Sequence, residues 1–254
     1  MPFLQRDEVS IYHEIHGEGP AVLLTHGYSA SSAMWRSNVP ALVEAGYRVI
    51  TWDMRGHGQS SSPEDVSLYS AALTVGDMQA LLDAAGAESA VIAGMSLGGF
   101  MSLSYNLAHA DRIRALMLID TGPGFRNDAA REKWNAFACN RGDELLTKGD
   151  GALSSSSETR LQQQNFTGLR NAAHGMLTQH SADVINSLPG IAAPTLVVVG
   201  DRDEPYLAAS DYMADRIPGG RKVVITDAGH ASNIDQPAQF NAAVIEFLNG
   251  LQEN

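Results

Sequence analysis

The sequence predicts an α/β fold organised around a largely parallel β-sheet. Short β-rich runs alternate with longer helical patterns, the rhythm of βαβ units. The run Ile113–Ile119 is almost unbroken in apolar residues, as a strand covered on both faces requires. The length, 254 residues, suits one domain, or one domain carrying an insertion.

The elements are expected in the following order. Val9–His16 and Ala21–Thr25 read as the first strands, and Arg48–Trp52 follows a helix near Met34–Ala45. Ser89–Ala93 follows a long helix within Ser70–Ala85, where Leu73, Met78, Leu81 and Leu82 recur at near-helical spacing. A helix over Ser96–Ala108 opens with glycines and leads to Ile113–Ile119. Pro194–Val199 and Lys222–Thr226 are two further strands. Pro237–Leu248 is a closing helix with Phe240, Val244, Phe247 and Leu248 on one face. Gly122–Pro189 breaks the rhythm with no convincing strand. It holds amphipathic pieces around Ala129–Ala138 and Leu169–Gln179, a loop-like serine run Ser154–Ser157 and the glutamines Gln162–Gln164. It reads as a helical insertion between two core strands.

Composition excludes several classes. The chain is 44% hydrophobic and 18% charged, ordinary for a globular protein, with a formal net charge of −12. Such an acidic surface repels phosphate backbones and anionic lipid heads, so neither nucleic acid nor a membrane is an expected partner. No apolar run approaches the ~18 residues of a membrane span. The N-terminus lacks the apolar core of a signal peptide. The single cysteine, Cys139, permits no intrachain disulfide and is expected to be a buried, inert thiol on a helix. A cytoplasmic location is the expectation.

Gly94-Met95-Ser96-Leu97-Gly98 matches the G-x-S-x-G turn that presents a nucleophilic serine. A hydroxyl projected from a sharp strand-to-helix turn needs strained backbone at the serine. Side chains two residues to either side would collide as strand and helix cross, so Gly94 and Gly98 suit the turn. Composition alone yields roughly 0.2 chance matches in such a chain, so the motif is weak by itself. Its setting, Val91-Ile92-Ala93 before and Phe100-Met101-Ser102-Leu103 after, supplies the required strand and helix.

Among eight histidines, His230 alone sits in a turn after the last predicted strand, within Asp227-Ala228-Gly229-His230. A neutral imidazole there can take the serine proton as general base. His13 and His16 share a strand and read as surface residues; His109, His174 and His180 lie in or beside helical patterns. The orienting carboxylate is expected after the penultimate strand, where Asp201, Asp203 and Glu204 follow Gly200. Asp203 is preferred because the turn needs about two residues before a side chain faces the sheet edge; Asp201 reads as a turn or pairing acid. Asp120, also at a strand's carboxyl end, is the rival. The resulting chain order is Ser96, Asp203, His230.

A tetrahedral intermediate needs two fixed donors at its negative oxygen. The backbone N–H of Leu97 is one candidate. The other is that of Tyr28, after the strand-ending pair His26-Gly27, with His26 bracing the loop. The turn Asp53–Ser60 also gathers Asp, His and Ser. Neighbours on one turn rarely converge on a point, so it is expected to be a structural hydrogen-bond hub. It lacks the Lys-Ser/Thr of a phosphate loop.

Taken together, His26-Gly27, Asp53–Ser60, Gly94–Gly98, Gly200–Asp203 and Gly229-His230 stand in the order that resembles α/β-hydrolase fold enzymes, over essentially the whole chain. The resemblance implies a mostly parallel eight-stranded sheet with helices on both faces and a helical cap after the sixth strand. The core would be residues 1–121 and 190–254, and the cap 122–189. It also implies no cofactor and no metal. Gly94–Gly99 and Ala228–Pro237 look like 3-oxoadipate enol-lactonases and related small esterases. Serine rather than aspartate at position 96 argues against epoxide hydrolase or haloalkane dehalogenase chemistry by the same resemblance. The expected activity is hydrolysis of a small-molecule ester or lactone, with Phe125, Trp134, Phe137 and Met176 either walling the acyl pocket or packing the cap. The alternatives are a C–C bond hydrolase or perhydrolase with the same three residues, and a hydrolase-fold ligand receptor with weak or no turnover.

Overall fold

A computed structural model describes residues 2–152 and 165–251. The serine run at 154–157 and the glutamines at 162–164 lie outside the described residues. Eight strands form one sheet: β1 (Phe3–Arg6), β2 (Val9–His16), β3 (Ala21–Thr25), β4 (Arg48–Trp52), β5 (Ala90–Met95), β6 (Ile113–Ile119), β7 (Thr195–Gly200) and β8 (Arg221–Ile225). Their spatial order is β1-β2-β4-β3-β5-β6-β7-β8. The β1–β2 and β2–β4 pairs are antiparallel and all others are parallel. The sheet is thus mostly parallel, as its apolar strands predict.

Side chains alternate across a strand, so a sheet covered twice must be apolar at every position. The central strands follow that pattern. On β3, Leu23 enters one hydrophobic cluster while Val22 and Leu24 enter the other. On β6, Leu116 and Leu118 face one way and Ala115, Met117 and Ile119 the other. Each fully buried aliphatic side chain contributes about 1.5–3 kcal/mol relative to exposure.

Helices cover both faces. The second cluster is closed by α1 (Val39–Glu44). The helix expected near Met34–Ala45 is in fact split: a 3₁₀ turn, Ser32–Trp35, precedes α1, which restarts after Asn38 with proline in its first turn. The first cluster is covered by α2 (Ala71–Ala84), capped by the Ser70 hydroxyl, and α3 (Leu97–His109).

Between β6 and β7 the chain forms α4 (Asp128–Lys148), α5 (Phe166–Ala172), a π-helical turn at Ala173–Leu177 and α6 (Asp183–Ser187). Asparagine side chains cap both longer pieces, Asn127 to the Ala130 N–H and Asn165 to the Gly168 N–H. Cys139 lies on α4 as read, but it is only partly buried. After β7 come α7 (Glu204–Arg216), α8 (Ser232–Asp235) and α9 (Pro237–Gly250). The predicted face of α9, with Phe240, Val244, Phe247 and Leu248, is buried. No helix among the described residues is long and apolar enough to cross a membrane.

Candidate functional site

The carboxyl ends of parallel strands converge on one edge of a sheet, which is where open α/β folds place ligands. In this chain that edge carries Ser96 after β5, Asp120 after β6, Asp203 after β7 and His230 after β8. Residues far apart in sequence meet there because their strands are neighbours.

Ser96 has φ 52° and ψ −115°, a left-handed conformation that a serine adopts only under constraint. The constraint comes from the crossing of β5 and α3. A β-carbon at Gly94 would run into the carbonyl of Gly98, and one at Gly98 into the carbonyl of Thr25. Glycine alone lets strand and helix approach so closely. Two hydrogen bonds pin the turn: the Ser96 N–H donates to the Ile119 carbonyl at 2.9 Å, and Thr121 Oγ1 donates to the Ser96 carbonyl at 2.6 Å.

His230 Nε2 lies 3.0 Å from Ser96 Oγ, and His230 Nδ1 lies 2.9 Å from Asp203 Oδ2. Asp203 is 4% exposed, so its carboxylate faces the imidazole in a nearly dry setting. With the Nδ1–H donating to Asp203, the Nε2 lone pair points at the serine hydroxyl.

Asp120 makes a different set of bonds. Its Oδ1 accepts from the Gly200 N–H at 2.9 Å, and its Oδ2 accepts from the Ser232 N–H at 2.9 Å and the Ser232 hydroxyl at 2.6 Å. It therefore ties the loop before Asp203 to the helix after His230. Burial pushes its carboxyl up to about 6 despite these donors. Asp201 accepts from the Ala228 N–H, the pairing role read for it. Arg202 and Asp227 form an ion pair across the same two loops.

Leu97 opens α3, so its N–H has no acceptor within its own helix. The loop after β3 runs alongside: a β-carbon at Gly27 would stand 3.4 Å from Ser96 Cβ. Tyr28 follows, and its hydroxyl donates to the Leu169 carbonyl on α5 at 2.9 Å. His26 braces this loop. Its Nε2 accepts from the Met54 N–H at 2.9 Å and its Nδ1 faces the Gly27 carbonyl at 2.7 Å. Complete burial lowers its pKa to about 4, which keeps the ring neutral and in one tautomer. The Asp53 turn is a hub: its two carboxylate oxygens accept from the Ser32 and Gln59 N–H groups, both at 2.7 Å. His57, pushed down to about 3 by burial, packs its ring 5.0 Å from that of His26.

The family model described as alpha/beta hydrolase fold matches residues 20–141, the stretch that carries the first half of this site. The chain has the fold of the α/β hydrolases and resembles their enol-lactonase-like esterases. Among α/β-hydrolase relatives, a 3-oxoadipate enol-lactonase 1 of Acinetobacter baylyi is 29% identical over 92% of this chain and 90% of its own length. A putative 2-succinyl-6-hydroxy-2,4-cyclohexadiene-1-carboxylate synthase of Bacillus subtilis is 26% identical over 95% of this chain and 96% of its own. The solved structure of a thermophilic esterase from Thermogutta terrifontis superposes with a TM-score of 0.82 at 26% identity, covering 96% of this chain and 94% of that one.

In this α/β-hydrolase chain a cavity of about 310 Å³ opens beside Ser96. Phe125 and Trp134 line it, as expected of pocket walls. Phe137 does not; it is 58% exposed on the outer face of α4. Nor does Met176, which is buried among the helices that back the sheet. Tyr206, on the first turn of α7, escapes any sequence motif. Its ring stacks on His230 at 4.7 Å and 24°, and its hydroxyl reaches Ser96. Burial, with Asp203 adding to it, pushes this phenol up to about 12. Among the described residues no three His, Cys, Asp or Glu side chains gather to hold a metal ion.

Proposed function

We propose that this chain is a serine hydrolase that cleaves a small carboxylic ester or lactone through an acyl-enzyme on Ser96. The observation that carries the reading is the continuous relay from Ser96 Oγ to His230 Nε2, 3.0 Å, and from His230 Nδ1 to Asp203, 2.9 Å. The enol-lactonase and esterase among the relatives support an oxygen ester as the scissile group. The serine at position 96 favours an acyl intermediate over the aspartate chemistry associated with epoxide hydrolases.

The chemistry follows from the geometry. Ser96 Oγ attacks the carbonyl carbon while His230 Nε2 takes its proton. Asp203, fixed on Nδ1, stabilises the imidazolium that forms. The N–H groups of Leu97 and Tyr28 receive the developing oxyanion, aided by the positive end of α3. Collapse expels the alcohol, which leaves with the proton from His230; in a lactone the alcohol stays tethered to the acyl group. Water, deprotonated by His230, then attacks the acyl-enzyme and frees the acid. Residues 122–189 act as the cap that encloses the acyl group, and residues 1–121 with 190–254 form the core that bears the relay.

A fluorophosphonate probe and p-nitrophenyl acetate test this. The native chain labels and turns over. Ser96→Ala, which removes only the hydroxyl, loses labelling and drops turnover by about 10⁴-fold or more. Near-native turnover in Ser96→Ala removes Ser96 from the mechanism. Labelling without any ester or lactone turnover supports a ligand receptor instead.

A further inference from the structure

The cavity beside Ser96 has a lining that discriminates among acyl groups. Leu97, Phe100, Phe125, Trp134 and Leu177 give it apolar walls, and among the described residues no side chain on its lining carries a charge. One polar group stands out among them. Gln179 is 8% exposed, and its Oε1 has no hydrogen-bond partner among the described residues. The residue lies on the cavity wall with its Oε1 packed beside Gly124, where a β-carbon would stand 2.6 Å from Gln179 Oε1 and 3.2 Å from the Phe100 ring.

The backbone that carries this amide is held in place. Asn135 on α4 clamps the Gln179 backbone at both ends, accepting from its N–H at 2.8 Å and donating to its carbonyl at 2.7 Å. Trp134 Nε1 donates to the Leu177 carbonyl at 2.8 Å, which fixes the same segment two residues earlier. A buried polar atom without a partner is costly and uncommon, and one on a cavity wall offers a ligand a partner to complete. Phe100 lies one turn of α3 beyond Ser96, and one turn advances about 5.4 Å. The amide therefore faces a group several bonds from the scissile carbonyl.

We infer that the cavity selects an uncharged acyl chain carrying one neutral hydrogen-bonding group, keto, hydroxyl or amide, that the Gln179 carboxamide receives. The inference rests on the acyl-enzyme reading in assigning this cavity to the acyl portion. A carboxamide carries both donor and acceptor, so either kind of partner is met by one of its two orientations. A carboxylate at the same place would be desolvated with no cation to meet it, so acidic acyl chains are rejected.

The test pairs turnover with binding. Substrates are p-nitrophenyl hexanoate, its 5-oxo analogue and the p-nitrophenyl half-ester of adipic acid. In the native chain the 5-oxo ester exceeds hexanoate in kcat/KM by about tenfold, and the adipate half-ester falls about tenfold or more below hexanoate. Gln179→Met, of similar size, brings the oxo-to-plain ratio to about one. Gln179→Leu, a second variant should the first not fold, also loses the oxo preference because it has no group to donate to a ketone. Calorimetry of ethyl 5-oxohexanoate and ethyl hexanoate with Ser96→Ala reads the same recognition without turnover. Should the native chain hydrolyse none of the esters, the acyl-enzyme reading fails and the binding ratio alone decides the role of Gln179. An oxo-to-plain ratio near one in the native chain, a ratio unchanged by both Gln179 variants, or adipate half-ester turnover equal to that of the oxo ester overturns the inference.

Discussion

Replacing Asp203 by asparagine separates two carboxylates that the sequence leaves in competition. The carboxylate of Asp203 sits 2.9 Å from His230 Nδ1 and, in the proposed mechanism, stabilises the cation that forms there during acylation. Two unit charges with centres about 4 Å apart interact by about 4 kcal/mol at an effective dielectric constant of 20. The His230 side chain is 31% exposed, so solvent screens part of this. About 3–4 kcal/mol of transition-state stabilisation is at stake, or roughly 10²–10³-fold in kcat. Asparagine can also donate to Nδ1, which puts the proton on Nε2 and removes the base, so the loss lies at the upper end. Asp120→Asn is the control. It leaves the relay bonds in place but turns an amide NH₂ toward either the Gly200 or the Ser232 N–H. An unmet buried donor costs roughly 1–3 kcal/mol of stability, while kcat stays within about tenfold of native. The assay is p-nitrophenyl acetate hydrolysis at a temperature where circular dichroism shows both variants folded. Asp203→Asn within tenfold of native, or Asp120→Asn as damaging to kcat as Asp203→Asn, refutes the reasoning.

Two further outcomes follow from the same geometry. Gly98→Ala drives a methyl into the Thr25 carbonyl; the strand and helix must separate, at a cost of roughly 3 kcal/mol, read as a lower urea midpoint together with slower fluorophosphonate labelling. Unchanged values for both would mean that the close crossing is not what holds Ser96. Asp120 gives stability a defined pH dependence. Its carboxyl is raised from an ordinary 3.8 to about 6, so the folded state holds a proton that the unfolded chain has lost between those values. That contribution is complete below about pH 4 and is lost as pH rises through about 6, on the order of 3 kcal/mol in all. Urea unfolding at pH 4.5 and 7 should show this fall relative to Asp120→Asn, and parallel pH profiles for the two chains would contradict it.

Much of the core was legible because a doubly covered parallel strand has to be apolar throughout. Strands β2, β3, β4 and β6 keep the bounds read from the sequence. The edge strand β1 escapes because Phe3–Arg6 has no fully buried position. Helix α7 escapes because Asp201–Pro205 reads as a turn, and the Glu204-Pro205 that ends that turn also starts the helix. The relay residues were legible through strand-end placement and chain order, since each lies at a turn where a strand stops. Tyr206 and Gln179 were not, because each owes its position to tertiary contacts: one ring laid on His230, one backbone clasped by Asn135. The apolar character of Phe137 and Met176 fits a pocket wall and cap packing equally, since it does not say which side of a helix meets the cavity.

Tyr28 joins two tasks in one residue. Its peptide belongs to the loop that passes Ser96, while its phenol is latched to the carbonyl of Leu169 on the far side of the cleft. Asn171 adds a clasp nearby, donating to the carbonyls of Pro63 and Glu64. On the proposed division into core and cap, a roof fastened to the floor at this corner cannot lift there without tugging the peptide proposed to hold the oxyanion. Redesign of the chamber is therefore safest along α4, and any change that displaces residue 169 will register as slower chemistry as well as altered selectivity.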